Sequence, residues 1–259
     1  MLHLTTFYLR GNFNIKGLNI FATMTNYTTS TSVNKLEPWW VTGFIDGDGC
    51  FTVQFNKRAN STYQVQLSFA ICLHIKDDLI IKHIKSFFGG VGQISYHSNK
   101  VYYRVRKLND INSFILPHFE SYPLQTSKSI ELKLWSEIVK IMNTKDHLNE
   151  TGLLKIISLK SSLNKGISPN ISAEFANIIT LPRPELDYSS ELLDNNWIAG
   201  FIAAEGSFSI NINTQALDRK LPQVQAKFSI CLHISLAYLY FLFLIEHSKR
   251  KVASEGERY

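Results

Sequence analysis

Two short stretches of this chain repeat each other, and they constrain its fold more than any other feature. Val41–Gly49 reads VTGFIDGDG and Ile198–Gly206 reads IAGFIAAEG. In each stretch, small and apolar residues follow a helical pattern that ends in an acid and a glycine. Each stretch therefore predicts a short buried helix.

A face with almost no side chains runs along each of these predicted helices. Gly43 and Gly47 are four residues apart, as are Gly200 and Ala204, so each pair shares one face of its helix. Such faces let two helix backbones approach closely, as small residues do between membrane helices. We expect the two helices to pack on each other through these faces.

This packing would bring Asp48 and Glu205 together at two helix C-termini. Neither the helix dipole nor the second carboxylate favours a negative charge there, and a hard divalent cation with oxygen ligands would balance both. The alternative is two unrelated core helices with exposed terminal acids. It would explain a single copy of the motif better than the two copies that are present. Gly49 and Gly206 stand where a left-handed helix cap favours glycine.

The residues that follow each motif repeat as well. The first motif is followed by CFTVQFN and the second by SFSININ, and Gln64–Ile75 (QVQLSFAICLHI) returns as Gln223–Ile234 (QVQAKFSICLHI). The spacing differs by two residues within one hairpin loop. The chain therefore contains an internal duplication.

From about Trp39 to Ile234 the sequence resembles the LAGLIDADG homing endonucleases in their single-chain form with two motifs. The runs YPLQTSKSIELKLW and KDHLNETGLLKIISLKSSLNKG are similar to later helices of that family. The resemblance implies an α+β fold: a duplicated αββαββα unit with a pseudo-two-fold axis. It also implies cleavage of a long, asymmetric double-stranded DNA site, and some members assist splicing of their host intron.

The resemblance further implies that Asp48 and Glu205 are catalytic and hold Mg²⁺ or Mn²⁺. Lys128, at the start of the late helix, would lie behind the scissile phosphate and help place water. By pattern alone it is a solvated helix lysine. Ala203 stands where the first motif has Asp46, so we expect Asp46 to support the helix end and not to bind metal directly.

The predicted strands place polar residues on one face. Phe51, Val53 and Phe55 alternate with polar neighbours within Cys50–Lys57, and Val65, Leu67, Phe69 and Ile71 alternate in the next strand. Amide and guanidinium groups on such a face can read base edges in a major groove. The predicted DNA-binding residues are Gln54, Asn56, Arg58, Gln64, Gln66, Ser68, Ser95, Tyr102, Arg104, Arg106, Asn211, Asn213, Gln225 and Lys227, with Arg219 and Lys220 as further candidates.

Helical patterns complete the first repeat. Asp77–Phe88 is predicted as an amphipathic helix that ends at Gly89-Gly90 and buries Leu79, Ile80, Ile84 and Phe87. The remaining elements are a hairpin of Gly92–Tyr96 and Lys100–Arg106, and helices over Asn109–Phe119, Thr126–Met142 and Thr151–Leu163. We divide the chain into a leader (1–36) outside the fold, a first repeat (37–165), an irregular linker (166–196) and a second repeat (197–259).

The second repeat is expected to be incomplete. After Ile234 only Ser235–Arg250 and a polar tail follow, with no third or fourth strand. The inner face of its first two strands should then lack part of its cover. Leu236–Ile245 is too short to span a bilayer, and we interpret it as a buried amphipathic helix, with no membrane partner.

Composition agrees with a nucleic-acid partner. The net charge is +6 and the pI is about 9.1, and the three cysteines have no metal-binding spacing and fit a reducing compartment.

Residues 1–36 hold no acid and several Ser and Thr, which is typical of a mitochondrial presequence or of a disordered leader. We expect a mitochondrial monomer. Two alternatives to the nuclease remain open: a maturase that binds host intron RNA, and an inactive remnant.

Overall fold

The computed structural model describes residues 5–6, 35–59, 62–175, 178–185, 193–213 and 223–232. The fold is α+β, with two antiparallel sheets and a pair of helices between them. The α-helices are α1 (Pro38–Asp48), α2 (Asp78–Phe87), α3 (Leu108–Asp110), α4 (Leu116–Ser121), α5 (Lys128–Asn143), α6 (Glu150–Ser161), α7 (Pro169–Glu174) and α8 (Asn195–Glu205), and a π-helical turn (Ile111–Ile115) joins α3 to α4. The strands are β1 (Thr5–Thr6), β2 (Gly49–Lys57), β3 (Tyr63–His74), β4 (Gln93–His97), β5 (Lys100–Val105), β6 (Gly206–Asn213) and β7 (Gln223–Leu232).

The two motif helices, α1 and α8, begin at side-chain caps. The Glu37 carboxylate accepts a hydrogen bond from the Trp40 backbone N–H at 3.2 Å, and Pro38 occupies the first turn. The Asp194 carboxylate accepts from the Asn196 N–H at 2.7 Å and from the Trp197 N–H. Local chemistry therefore fixes where both helices start.

The motif helices end without the expected left-handed caps. Gly49 and Gly206 have φ of −74° and −77°, which is extended backbone, and each is the first residue of a strand. The left-handed expectation is therefore wrong. Glycine is needed for space, because a Cβ at Gly49 would lie 2.4 Å from Ile45 Cγ2, and one at Gly206 would lie 2.4 Å from the carbonyl oxygen of Ile202.

The first sheet has the strand order β2-β3-β5-β4. Its inner face carries Phe51 and Phe69, as the alternation predicts, and Tyr103, all fully buried. Trp135 from α5 packs on Phe51 at 5.3 Å between ring centroids, and its indole N–H donates to the carbonyl of Thr52 at 3.1 Å. This core supports the inner face of the sheet, and the outer face is turned away from it.

Helix α2 buries the predicted Ile84, but the rest of its buried stripe differs from the predicted one. Ile81, Ile84 and Phe88 are buried, at positions i, i+3 and i+7, whereas Leu79 is 63% exposed. Leu79 lies two residues before Ile81 and so points to the opposite side of the helix. The prediction that Leu79 joins the core is wrong, while Ile80 and Phe87 pack at its margin.

The leader is not entirely outside the fold. Thr5 and Thr6 form the short strand β1, which pairs with Leu232 and Cys231 at the edge of β7. Leu36 is also buried in the first core, at 7% exposure. The predicted boundary after residue 36 is wrong at these positions, and residues 1–4 and 7–34 lie outside the described residues.

The linker contains a helix that the sequence did not predict. Ile171 in α7 is buried, and Glu174 accepts hydrogen bonds from Lys57 Nζ at 2.8 Å and from the Tyr63 hydroxyl at 2.5 Å. Helix α7 therefore holds the loop end of the β2–β3 hairpin. Among the described residues of the predicted linker, 166–168, 178–185 and 193–194 are irregular as expected.

The second sheet has the order β1-β7-β6. Phe208 and Ile210 on β6 are 63% and 70% exposed, and the incompleteness of the second repeat stays a prediction. Leu236–Ile245 lies outside the described residues. No helix in the described part of the chain is both long and apolar enough to cross a membrane.

Candidate active site and nucleic-acid interface

Helices α1 and α8 touch through their glycine faces. A Cβ at Gly43 would lie 1.9 Å from the carbonyl oxygen of Trp197, and a Cβ at Gly200 would lie 2.0 Å from that of Trp40. One turn further on, a Cβ at Gly47 would lie 2.4 Å from Ala204 Cβ. The first two contacts are reciprocal across a pseudo-two-fold axis, and the predicted interface of Gly43, Gly47, Gly200 and Ala204 is present in the structure.

Asp48 and Glu205 converge at the ends of these helices. Gly47 lies against the Glu205 side chain, since a Cβ there would be 3.2 Å from Glu205 Cγ and 3.6 Å from Oε1. Burial and, after it, the neighbouring charge of Glu205 raise the pKa of the Asp48 carboxyl to about 6, while Lys128 opposes the shift. The fold has thus placed two acids where their charges destabilise each other.

The donor chemistry of this pair fits a hard divalent cation. Carboxylate oxygens are the ligands that Mg²⁺ and Mn²⁺ favour, and a cation between them would relieve the repulsion that raises the pKa of Asp48. Among the described residues, no group of three or more His, Cys, Asp or Glu side chains forms a closed metal site. A cation held by this pair would keep coordination positions for water and for substrate oxygens.

Lys128 lies under the end of α1 and not on an open surface. Its Nζ donates to the carbonyl oxygens of Gly47 at 2.6 Å and Ile45 at 3.0 Å, in the last turn of the helix, where carbonyls run out of intrahelical partners. The Ile45 carbonyl also accepts from the Gly49 backbone N–H. Burial lowers the pKa of the Lys128 ammonium, and Asp46 and other nearby acids oppose the shift. The interpretation of Lys128 as a solvated helix lysine is therefore wrong, and its positive charge lies beside the acid pair.

Asp46 is the most connected side chain of the site. It is 3% exposed, and its carboxylate accepts hydrogen bonds from the Gln125 N–H (2.8 Å), the Thr126 hydroxyl (2.6 Å), the Thr126 N–H (3.3 Å) and the Trp197 indole N–H (2.8 Å). Burial raises the pKa of this carboxyl, and these donors oppose the shift. The expectation that Asp46 supports the helix end agrees with this geometry, but its partners could not be read from the motif.

A second polar group under α1 was not anticipated. The hydroxyl of Thr42, fully buried, donates to the carbonyl of Tyr122 at 3.0 Å and lies 3.0 Å from His118 Nε2. Burial lowers the pKa of His118 to about 4, so the ring is neutral at physiological pH. The polar residue inside an apolar motif helix was the only sequence signal for this contact.

The outer face of the first sheet carries the expected polar ladder. Gln54 lies opposite Gln66, and Asn56 lies opposite Gln64, so the four amides form two adjacent rows. Gln54, Asn56, Gln64, Arg58 and Arg106 are exposed, and Gln66 is half-buried. The backbone therefore assembles these predicted DNA-binding residues on one surface.

Arg104 is the best-supported cation of this face. Its guanidinium donates to Ser95 Oγ at 3.0 Å and lies 4.1 Å from the centroid of the Tyr102 ring. The side chain is therefore held in place before any ligand arrives, as a preorganised contact requires.

Ser68 departs from the expectation. It is 6% exposed, and its hydroxyl bonds to the carbonyl of Phe69 at 3.4 Å. The expectation that Ser68 opens onto the polar face is wrong because the side chain is covered at the middle of the sheet, opposite Thr52.

In the second repeat the backbone register places Asn211 opposite Gln225, Asn213 opposite Gln223, and Ser209 opposite Lys227. Lys227 is half-buried. The side chains of Asn211, Asn213 and Gln225 fall outside the described side chains, and Arg219 and Lys220 lie outside the described residues. Their predicted DNA contacts remain predictions.

The fold and site together define a duplicated α+β protein in which two halves bring one acid each to a shared helix interface. The family model described as LAGLIDADG endonuclease matches residues 41–139. The chain belongs to this LAGLIDADG endonuclease family.

Individual relatives agree with this assignment. The probable intron-encoded endonuclease 3 of Neurospora crassa is 35% identical over 190 residues, which cover 72% of this chain and 36% of the relative. An uncharacterized 50.9 kDa protein in ND4 intron 1 of Podospora anserina is 35% identical over 137 residues, 51% of this chain and 30% of the relative. The chain thus spans about a third of the length of these two curated relatives.

A solved structure extends the likeness to three dimensions. I-SmaMI bound to an uncleaved DNA target in the presence of calcium ions is 33% identical, with a TM-score of 0.75, over 81% of this chain and 73% of that one. The predicted resemblance to LAGLIDADG homing endonucleases and the predicted fold class are therefore confirmed.

Proposed function

We propose that this chain is a sequence-specific homing endonuclease that hydrolyses one phosphodiester bond on each strand of double-stranded DNA. The observation that carries the proposal is the convergence of Asp48 and Glu205 from two repeats at the ends of glycine-faced helices. The names of its intron-encoded endonuclease relatives, and the DNA held by I-SmaMI, support the same activity.

Asp48 and Glu205 would hold Mg²⁺ or Mn²⁺. A bound divalent cation polarises a phosphoryl oxygen, lowers the pKa of water and stabilises the leaving oxygen. The chain contributes a rigid frame, because the interlocked helices prevent the two acids from moving apart. The raised pKa of Asp48 also means that the acid pair favours any cation that restores its full charge.

Besides the predicted placement of water behind the scissile phosphate, Lys128 would contribute through its contacts with α1. Its ammonium keeps the carbonyls of Gly47 and Ile45 bonded and brings one positive charge next to two acids. Both effects stabilise the negative oxygens of the site without contact to substrate. We propose that Lys128 serves catalysis by holding the end of α1.

The outer face of the first sheet is the proposed reader of one half-site. Amides in paired rows suit bidentate contacts with adenine, and the braced guanidinium of Arg104 suits guanine. The second sheet would read the other half-site with Asn211, Asn213, Gln225 and Lys227. Two sheets of different sequence in one monomer imply an asymmetric target.

The catalytic proposal is tested by replacing each acid with its amide. Asp48→Asn and Glu205→Gln should each abolish cleavage with Mg²⁺ while target binding in Ca²⁺ stays within a few-fold of wild type. Glu120→Gln, on the exposed surface of α4, is the matched control and should cleave normally. Unimpaired cleavage by either acid variant, with its fold intact, would remove that acid from the mechanism.

The target itself can be found by selecting cleaved sequences from a genomic or randomised DNA pool with Mg²⁺, using Ca²⁺ as the non-cleaving control. The relative in an ND4 intron and the composition of residues 1–36 point to a mitochondrial gene and location. A gel-shift comparison of the host intron RNA with its flanking DNA separates the nuclease from the maturase alternative. Preferential binding to intron RNA would favour the maturase.

A further inference from the structure

One buried carboxylate contacts all three segments that carry the proposed catalytic groups. Asp46 is two residues before Asp48 on α1, and it accepts from Thr126, two residues before Lys128. It also accepts from the indole of Trp197, which stands on the same helix as Glu205. The motif itself gives no reason for these three contacts to meet at one side chain.

We propose that Asp46 is a positioning residue of the endonuclease: its carboxylate locks α8 and the start of α5 onto α1, so that Asp48, Glu205 and Lys128 stay converged. This inference rests on the proposed function, and it adds a residue that binds neither metal nor DNA. Four donors within 3.3 Å leave the carboxylate no freedom to turn, and at 3% exposure water does not replace a lost partner.

The contact to Trp197 sets the register between the repeats. Glycine faces define how closely two helices approach, but a smooth face resists sliding and rotation poorly. The hydrogen bond at 2.8 Å joins the start of α8 to the end of α1 and supplies the missing directional constraint. A change at this bond should therefore move Glu205 relative to Asp48.

The contacts to Gln125 and Thr126 set the position of Lys128. The Thr126 hydroxyl donates to Asp46 and accepts from the Lys128 backbone N–H at 3.1 Å, so it relays the position of α1 to the first turn of α5. The Lys128 ammonium then returns to α1 at Gly47. The contacts from Asp46 through Thr126 and Lys128 to Gly47 thus form a closed ring at the C-terminal end of α1.

The pseudo-two-fold axis supplies a matched control. Trp40 is the counterpart of Trp197, but Ala203 stands where an acid would have to accept from its indole. Among the described residues the Trp40 indole has no acid partner, and its ring stacks on Phe44. Trp197→Phe removes one hydrogen bond to Asp46. Trp40→Phe removes the equivalent indole N–H and leaves all the hydrogen bonds of Asp46 in place.

The first test does not need nuclease activity. In the full chain labelled with ¹⁵N-tryptophan, the indole N–H of Trp197 should exchange slowly, and Asp46→Asn should shift its signal while leaving that of Trp40 in place. Asp46→Asn and Trp197→Phe both break the same contact. The decrease in melting temperature of the double variant should therefore be well below the sum of the decreases in the two single variants. An unmoved Trp197 signal, or fully additive losses, overturns the lock.

The second test uses cleavage of a supercoiled plasmid that carries the selected target. Trp197→Phe should lower kcat about 10-fold and Asp46→Asn about 100-fold, with KM and the Ca²⁺-dependent Kd for DNA within threefold of wild type. Trp40→Phe should match wild type. A folded Trp197→Phe variant with wild-type kcat overturns the positioning role. If wild type cuts no target at all, the proposed function fails, and the lock is decided by the first test alone.

Discussion

Gly43 of the first motif helix meets the backbone carbonyl of Trp197 in the second, where a methyl group would lie 1.9 Å from the oxygen. The contact involves backbone on both sides, so no side chain can rotate away to make room. The separation of the two acids is therefore set by main-chain contact. This is a stiffer arrangement than side-chain packing provides.

The first prediction follows from that contact. Gly43→Ala should force the helices apart and lower the free energy of unfolding by about 3–5 kcal/mol, at or above the usual range for overpacking. Thermal melting followed by circular dichroism measures the loss. Gly90→Ala is the control, since a Cβ there meets nothing within 4 Å and pays only for its φ of 75°, about 1–2 kcal/mol. Equal losses at the two sites would contradict the close approach.

The second prediction concerns Lys128. Lys128→Met keeps the length of the side chain but removes the ammonium donor of the Gly47 carbonyl, and it leaves the Ile45 carbonyl with only the Gly49 N–H, which should cost about 1–3 kcal/mol of stability. Cleavage should fall at least 10-fold, because the end of α1 loses both its anchor and a compensating charge. Lys133→Met, an exposed position on the same helix, should change neither property. Wild-type stability in the Lys128 variant would disprove the anchoring role.

The third prediction is a pH dependence of stability. The pKa of His118 is lowered to about 4 in the folded state from about 6.5 in the unfolded chain, so the unfolded chain binds more protons between those values. Stability should fall as pH decreases from about 6.5 and level off with respect to this group below about 4. His118→Gln should flatten that part of the curve, as measured by urea unfolding at several pH values. An unchanged slope would show that other groups carry the effect.

The fourth prediction tests the polar face. Tyr102→Leu removes the ring beneath Arg104 without changing its charge, and should weaken target binding by about 1–2 kcal/mol while leaving the salt dependence nearly unchanged. Arg104→Ala should cost about 1–3 kcal/mol and relax specificity at one base pair. Tyr96→Phe is the control, because Tyr96 lies on the other face and bonds to Asp78. Normal binding by Arg104→Ala would remove this residue from the interface.

The sequence predicted the parts of the fold that depend on local periodicity and on the duplication. The helix pairing, the alternation of β2 and β3, and the approach of Asp48 to Glu205 all follow from residues within the two repeats. The end of α2 at Gly89-Gly90 also follows, because both residues adopt the positive φ that glycine favours.

The remaining features depend on contacts between distant segments. The partners of Asp46 come from positions 125, 126 and 197, and no periodicity links them to the motif. The burial of Ser68 does not follow from alternation, because the side chain is covered only when the sheet is assembled. Gly49 was assigned to a left-handed cap because composition alone does not distinguish a need for positive φ from a need for space.

The contact of α7 with the β2–β3 hairpin has a practical consequence for exchanging halves between members of this family. Glu174 holds Lys57 and Tyr63, and the Phe175 ring packs on Tyr63 at 5.6 Å. A chimaera joined at residue 166 would separate the first sheet from its own clasp and leave the tip of the hairpin unsupported. A junction placed beyond Phe175 transfers the clasp together with the strands that it steadies.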